Sequence, residues 1–289
     1  MTVQLGKTKM HRYTKWSLFR EVLVVCAAII LLLPFWILIS TALKTTDQVV
    51  TTSAFSFPPA PTLDNFIQLL SPAGSQSGNV YQGLFSSLVI TTGTVLLLIA
   101  LSSAAAYVFA RSTRKLSDRI FRIFLIAIVL PTQLGILPLY IGARSLGLVG
   151  SPWGMIVIYT AMTMPFSVFL YSGFFRRLPR DYEEAATLDG ASRFQIFTRV
   201  IFPLMGPATG TVAILSGLLV WNDFFTAVIF LNGSPYMTLP VVVYNFVGSL
   251  VSQWNLSFAV VLIAMAPVLA FYAFAQKKLM QGYAGGIKS

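Results

Sequence analysis

An all-α membrane protein with six spanning helices is the fold class this sequence predicts. Three observations predict it. The chain is 56% hydrophobic and only 10% charged, where a soluble domain carries about 25% charged residues. Six stretches approach or exceed the run of about 20 mainly apolar residues that a bilayer-crossing helix needs. The positive charges collect at alternate ends of those stretches.

The spans are expected at Val22–Leu43, Leu84–Ala110, Ile120–Ile141, Gly154–Phe175, Leu204–Leu231 and Ser257–Leu279. Together they make one membrane body over residues 22–279, between a basic arm (1–21) and a short tail (280–289). The first apolar run is too long for a signal-peptide core, so it reads as an uncleaved span. Residues 44–83 contain "FSFPPAPTLDNF" and "SPAGSQSGN", and their proline and glycine make a turn-rich loop. The stretch Leu239–Val251 is apolar but too short to cross. A re-entrant or surface-lying helix starting near Pro240 fits it.

Prolines interrupt five spans: Pro34, Pro131 with Pro138, Pro165, Pro207 and Pro267. Lipid tolerates them where neighbouring helices or cavity water satisfy the freed carbonyls. They read either as ordinary kinks or as bends around a pathway. The second span carries the small residues "SSAAA", which let helices approach closely.

Of the 20 Lys and Arg residues, all but Lys44 and Arg144 fall in the N-terminal arm, the second and fourth connections with their flanks, or the C-terminal end. The positive-inside rule then puts both termini in the cytoplasm. The net charge of +11 is explained by these boundaries. It forms no stripe with aromatics, and no nucleic-acid partner is expected. Cys26 is the only cysteine and His11 the only histidine, so neither a disulfide nor a metal cluster is expected. His11 reads as solvated or headgroup-facing.

The connection 176–203 is unlike the others. Pro179 stops a helix continuing from the fourth span. Asp181 fits an N-cap, Glu184 stands at capping-box spacing, and Asp181, Glu183 and Glu184 suit the positive end of a helix dipole. Gly190 can take a positive φ and end that helix. Ser192 and Gln195 repeat the capping-box spacing, so a second short helix is expected from Arg193 to Ile201. Pro203 disfavours a helical Phe202 and bends the chain into the fifth span. The acids have no histidine or cysteine partner, so a hydrolytic site is not expected. The residues alone leave two readings open: a linker lying on headgroups, or a helix pair awaiting a partner.

The pattern of "EAA", three residues, glycine, nine residues, an apolar residue, one residue and "LP" resembles the inner-membrane subunits of binding-protein-dependent ABC importers. Glu184, Ala185, Ala186, Gly190 and Pro203 carry it, while Val200 and Phe202 stand where the pattern has Ile and Leu. "TALKTTDQV", "WNDF", "YMTLPVVV" and the tail "QKKLMQGYAGGIKS" resemble the MalG-like permeases of the carbohydrate uptake class. The resemblance implies a type I importer fold in a bacterial or archaeal cytoplasmic membrane. It implies a non-catalytic half-transporter for a di- or oligosaccharide or related polyol. The implied partners are a second, non-identical permease, two copies of an ATPase that bind ATP and Mg, an external solute-binding protein and membrane lipid. It also implies that Glu184, Ala185, Ala186, Asp189, Gly190, Arg193, Phe194 and Pro203 serve ATPase coupling. The chain itself has no G-x-x-x-x-G-K-[ST] phosphate loop.

Trp221, Asn222 and Asp223 form the polar spot of the fifth span. At ~1.5 Å per residue, Asp223 lies roughly 28 Å from Leu204, near the outer leaflet. These residues either line the solute pathway or clamp helices together. Gln133 is a second pathway candidate, and Tyr244 and Asn245 are candidates for the outer gate or a binding-protein contact. The alternative function is an ion-coupled secondary transporter. It would need intramembrane ionisable groups, and Asp223 is the only acid within an expected span.

Overall fold

The computed structural model describes residues 15–71, 79–249 and 253–285. Lys7, Lys9, His11, Arg12 and Lys288, and most of "SPAGSQSGN", lie outside the described residues. The described residues are all helix, turn and loop, with no strand. In order, the helices are α1 (Lys15–Ala42), α2 (Thr46–Thr51), α3 (Asp64–Leu70), α4 (Val80–Arg111) and α5 (Lys115–Val129). A 3-10 turn (Thr132–Gly135) leads to α6 (Ile136–Ser145) and α7 (Pro152–Arg177). Then come α8 (Asp181–Leu188), α9 (Arg193–Gln195), a π-helical segment (Ile196–Ile201) and α10 (Phe202–Leu204). The chain ends with α11 (Gly206–Asn222), α12 (Phe225–Leu231), α13 (Leu239–Ser249) and α14 (Trp254–Gly285).

The bundle is built around α7, which packs on α4, α5 and α11. Its start is fixed locally. Ser151 Oγ accepts the Gly154 amide (3.1 Å), and Pro152 occupies the first turn. Gly154 is obligatory there, because a Cβ would sit 1.8 Å from the Leu148 carbonyl oxygen. Further along, Gly93 of α4 faces Ile156 so closely that a Cβ would lie 2.5 Å from its Cδ1. Lipid tails are as apolar as leucine, so close approach and hydrogen bonds, not apolar burial, hold such helices together. Ser167 and Ser216 bond across α7 and α11 (3.2 Å), and Tyr171 donates to Thr209 Oγ1 (3.0 Å). Interhelical bonds of this kind average about 0.6 kcal/mol.

The described part of the loop 44–83 is more structured than its composition predicts. It holds α2, capped reciprocally by Thr45 and Gln48, and α3. The Lys44 ammonium is buried and donates to the Ser53 carbonyl (2.7 Å) and Ser56 Oγ (3.3 Å). Asn65 Nδ2 donates to the Ala42 and Lys44 carbonyls, and its Oδ1 accepts from Asn255 of α14 (2.8 Å). Helix α13 starts at Leu239, whose amide donates to Ser87 of α4 (2.7 Å). With Leu239, Val241 and Val242 buried, α13 lies against α4 and α14.

Among the described residues, three helices, α1, α4 and α7, are long and apolar enough to cross a membrane. The number rises to five if each of two bent pairs is one span, and α14 carries the further apolar stretch Trp254–Ala270. Two of the six spans expected from sequence are broken. The third breaks by 101° between Lys115–Val129 and Thr132–Ser145. Pro131 is the cause: it holds Leu130 extended (ψ 129°) and has no amide to continue the ladder. The fifth breaks after Asn222, while the bend expected at its start is present, 74° between Arg193–Leu204 and Gly206–Asn222. Pro203 does not end the helix as expected. Phe202 is helical (φ −61°, ψ −41°), and its amide bonds the Phe197 carbonyl five residues back. The wider π turn takes up the crowding that a proline ring imposes, and the bend falls instead at Met205 (ψ 10°).

Candidate functional site

The insert after α7 is a rigid turn between two short helices. Leu178 is extended (ψ 124°) and Pro179 keeps α7 from continuing. The sequence places an N-cap at Asp181, and the structure corrects this. Arg180 precedes the helix without a side-chain cap, and its carbonyl accepts the Glu183 and Glu184 amides (2.9 and 3.0 Å). Asp181, Glu183 and Glu184 remain in the first turn, where the helix dipole favours them. The end of α8 follows expectation. Gly190 has φ +81°, its amide bonds the Thr187 carbonyl, and the Ala191 amide reaches back to Ala186 (both 3.0 Å). This pair of bonds is a Schellman motif. The Ser192–Gln195 capping box is also present, with bonds of 2.8 and 3.4 Å.

One side of this turn is anchored. Ala186, Ile196 and Ile201 are buried with Ala106, Phe175 and Met205. The other side is bare. Leu188 is 89% exposed and Phe194 76%, with Glu184, Ala185, Asp189 and Arg193 exposed beside them. A groove of about 360 Å³ lies between Asp189, Gly190, Gln195 and Arg199. Pro203 is exposed one turn further on.

A second concavity, about 330 Å³, lies between α7 and the broken spans. Thr132, Gln133, Tyr159, Thr163, Asp223 and Thr226 supply its polar lining. Gln133 and Asp223, 90 positions apart in sequence, are thus brought to one place. Asp223 is not inside a continuous helix. It ends α11 in extended geometry (ψ 117°), and its Oδ2 accepts the Thr226 and Ala227 amides (3.0 and 3.3 Å) at the start of α12. The same oxygen accepts the Tyr159 hydroxyl at 2.7 Å. Trp221 and Asn222 do not join this cavity. Trp221 packs with Ala42, Leu69 and Val242, while Asn222 is exposed and donates to the Leu218 carbonyl (2.8 Å). Tyr244 is exposed and packs its ring at a tilt against Phe224, with centroids 4.9 Å apart. Asn245 reaches Met237 Sδ (3.5 Å).

Sequence reasoning missed Tyr159 and Arg111. Tyr159 had one signal: a carboxylate in an apolar span needs a donor. Arg111 read only as a boundary charge. In the structure its Nε meets Glu183 Oε1 at 2.6 Å and its Nη2 donates to the Leu178 carbonyl (2.9 Å).

The family of binding-protein-dependent transport system inner membrane components matches residues 97–284, and the chain belongs to that family. Among its relatives is the melibiose/raffinose/stachyose import permease protein MelC of Bacillus subtilis (strain 168). The two are 35% identical over 265 residues, covering 91% of this chain and 92% of the relative. The probable starch degradation products transport system permease protein AmyC of Thermoanaerobacterium thermosulfurigenes is 32% identical, covering 88% and 91%. The fold is shared with a crystal structure of a bacterial ABC transporter involved in the import of the acidic polysaccharide alginate. The TM-score is 0.79 at 20% identity, over 93% of this chain and 99% of that one.

Proposed function

We propose that the chain forms half of the pathway of an ATP-driven importer for a di- or oligosaccharide or related polyol. It crosses the cytoplasmic membrane six times, with both termini inside, and pairs with a second, non-identical permease. Two ATPase subunits bind ATP and Mg and do the hydrolysis. An external binding protein delivers the solute. The permease names of its relatives support the solute class.

The observation that carries this reading is the bare face of the insert. Leu188 and Phe194 are large, apolar and exposed on a turn fixed by Gly190 and the Ser192 capping box. An apolar pair with acids and an arginine at its rim suits a protein cleft better than water. In the mechanism, closure of the ATPases moves these turns, and the broken spans reorient around the cavity holding Gln133 and Asp223. Ion coupling finds little support in Asp223, because one of its oxygens is already engaged by three donors.

The test is ATPase co-purification. Leu188→Asp and Phe194→Asp should each lower the bound ATPase at least tenfold while the permease stays in the membrane. Undiminished co-purification would reject the docking face.

A further inference from the structure

Among the described residues, one salt bridge is formed, and it ties the insert to the far end of α4. Arg111 is the last residue of α4, and Glu183 lies in the first turn of α8. Neither side chain is open to solvent, at 13% and 19% exposure. The guanidinium serves two acceptors at once: the Glu183 carboxylate, and the Leu178 carbonyl where α7 has just ended. Arginine's planar fork suits such a double contact, and lysine's single ammonium does not. One turn back on α4, Tyr107 packs its ring on Phe175 of α7 (5.6 Å) and on Phe197 of the π segment (5.2 Å). The end of α4 therefore touches the end of α7, the start of α8 and the π segment.

We propose that Arg111 is a positioning residue of the insert, bolting α8 to α4 so that a displacement of α8 is carried directly into a spanning helix. The covalent route offers a poorer lever. Between α7 and α8 the chain passes through Leu178, Pro179 and Arg180, three residues outside either helix. A hinge there lets α8 tilt without moving the bundle. The Arg111 fork closes that hinge, because it holds both sides of it, Leu178 and Glu183. Glu183 is thereby distinguished from its neighbour Glu184, which is exposed and free to face a partner. This inference rests on the proposed docking of α8 on an ATPase.

The experiment uses the full complex in proteoliposomes, with its ATPase and binding protein. Arg111→Gln and Glu183→Gln should leave ATPase co-purification and basal hydrolysis within about twofold of wild type. Solute-stimulated hydrolysis should fall about tenfold. The double variant should be no worse than the poorer single one, since both remove the same contact. Arg111→Lys should fall between wild type and Arg111→Gln. Stimulation is read as a ratio to basal rate per assembled complex, so reduced yield does not hide the answer. A wild-type ratio in both single variants overturns the bolt, as do additive losses in the double variant. Loss of the ATPase from Glu183→Gln alone also overturns it, by making Glu183 a docking residue. If wild-type protein itself retains no ATPase, it is the docking reading that fails.

Discussion

At the scale of single residues, Asp223 shows how a polar group in an apolar chain can be read two ways until its partners are seen. Its Oδ2 stands where three donors converge: Tyr159 Oη and the amides of Thr226 and Ala227. The carboxylate thus closes α11, opens α12 and joins both to α7. Removing a cap costs about 1 kcal/mol, and a buried hydroxyl left unpaired costs about 1–3 kcal/mol more. Asp223→Ala should therefore destabilise the protein by about 2–4 kcal/mol. Asp223→Asn keeps an acceptor oxygen and should cost less than about 1 kcal/mol. Denaturant unfolding of the purified permease in detergent measures both. Equal losses for Asn and Ala would show that charge, not hydrogen bonding, matters at this position.

At the scale of elements, the insert shows what short motifs fix and what they leave open. The Ser192–Gln195 box and the Gly190 turn are legible because each depends only on residues three to five positions apart. The Asp181 cap was misread, since Arg180 takes that position, and the Glu183 carboxylate turns to Arg111 of a different helix. Local spacing carries no information about a partner 72 positions away. Pro203 was misread for a related reason: the π turn that accommodates it has no recognised spacing signal. Gly190 supplies the test at this scale. Its φ of +81° costs a β-branched residue about 1–3 kcal/mol of strain. No neighbouring atom lies within 4 Å of an added Cβ, so the cost is conformational and not steric crowding. Gly190→Val should redirect the turn and lower solute-stimulated hydrolysis several-fold, while Gly190→Asn, which tolerates this region, should recover much of it. Equal behaviour of the two variants would show that the backbone conformation is not what matters.

At the scale of the whole molecule, hydropathy found the apolar segments because their composition alone reports them. It missed the breaks at Pro131 and Asp223, where a 3-10 turn and a capped helix start interrupt the ladder. It also missed the order in the 44–71 part of the loop. Buried Lys44 and the Asn65–Asn255 pair hold that segment through contacts that composition does not encode. Hydropathy alone cannot assign sidedness, and the charge distribution does that. Thr113 follows the C-terminal end of α4, Ala54 lies one connection beyond α1, after α2, and both are exposed. Cys26, exposed on α1, is replaced by Ala to give a cysteine-free background. Thr113→Cys should then resist an impermeant thiol reagent in intact cells and react once the membrane is opened. Ala54→Cys should react without opening it. Arg111, Arg114, Lys115 and Arg119 flank Thr113, so the positive-inside rule ties its sidedness to theirs. Labelling of Thr113→Cys from outside would invert the topology. It would put α8 on the wrong face for any ATPase, and the docking proposal would fall with it.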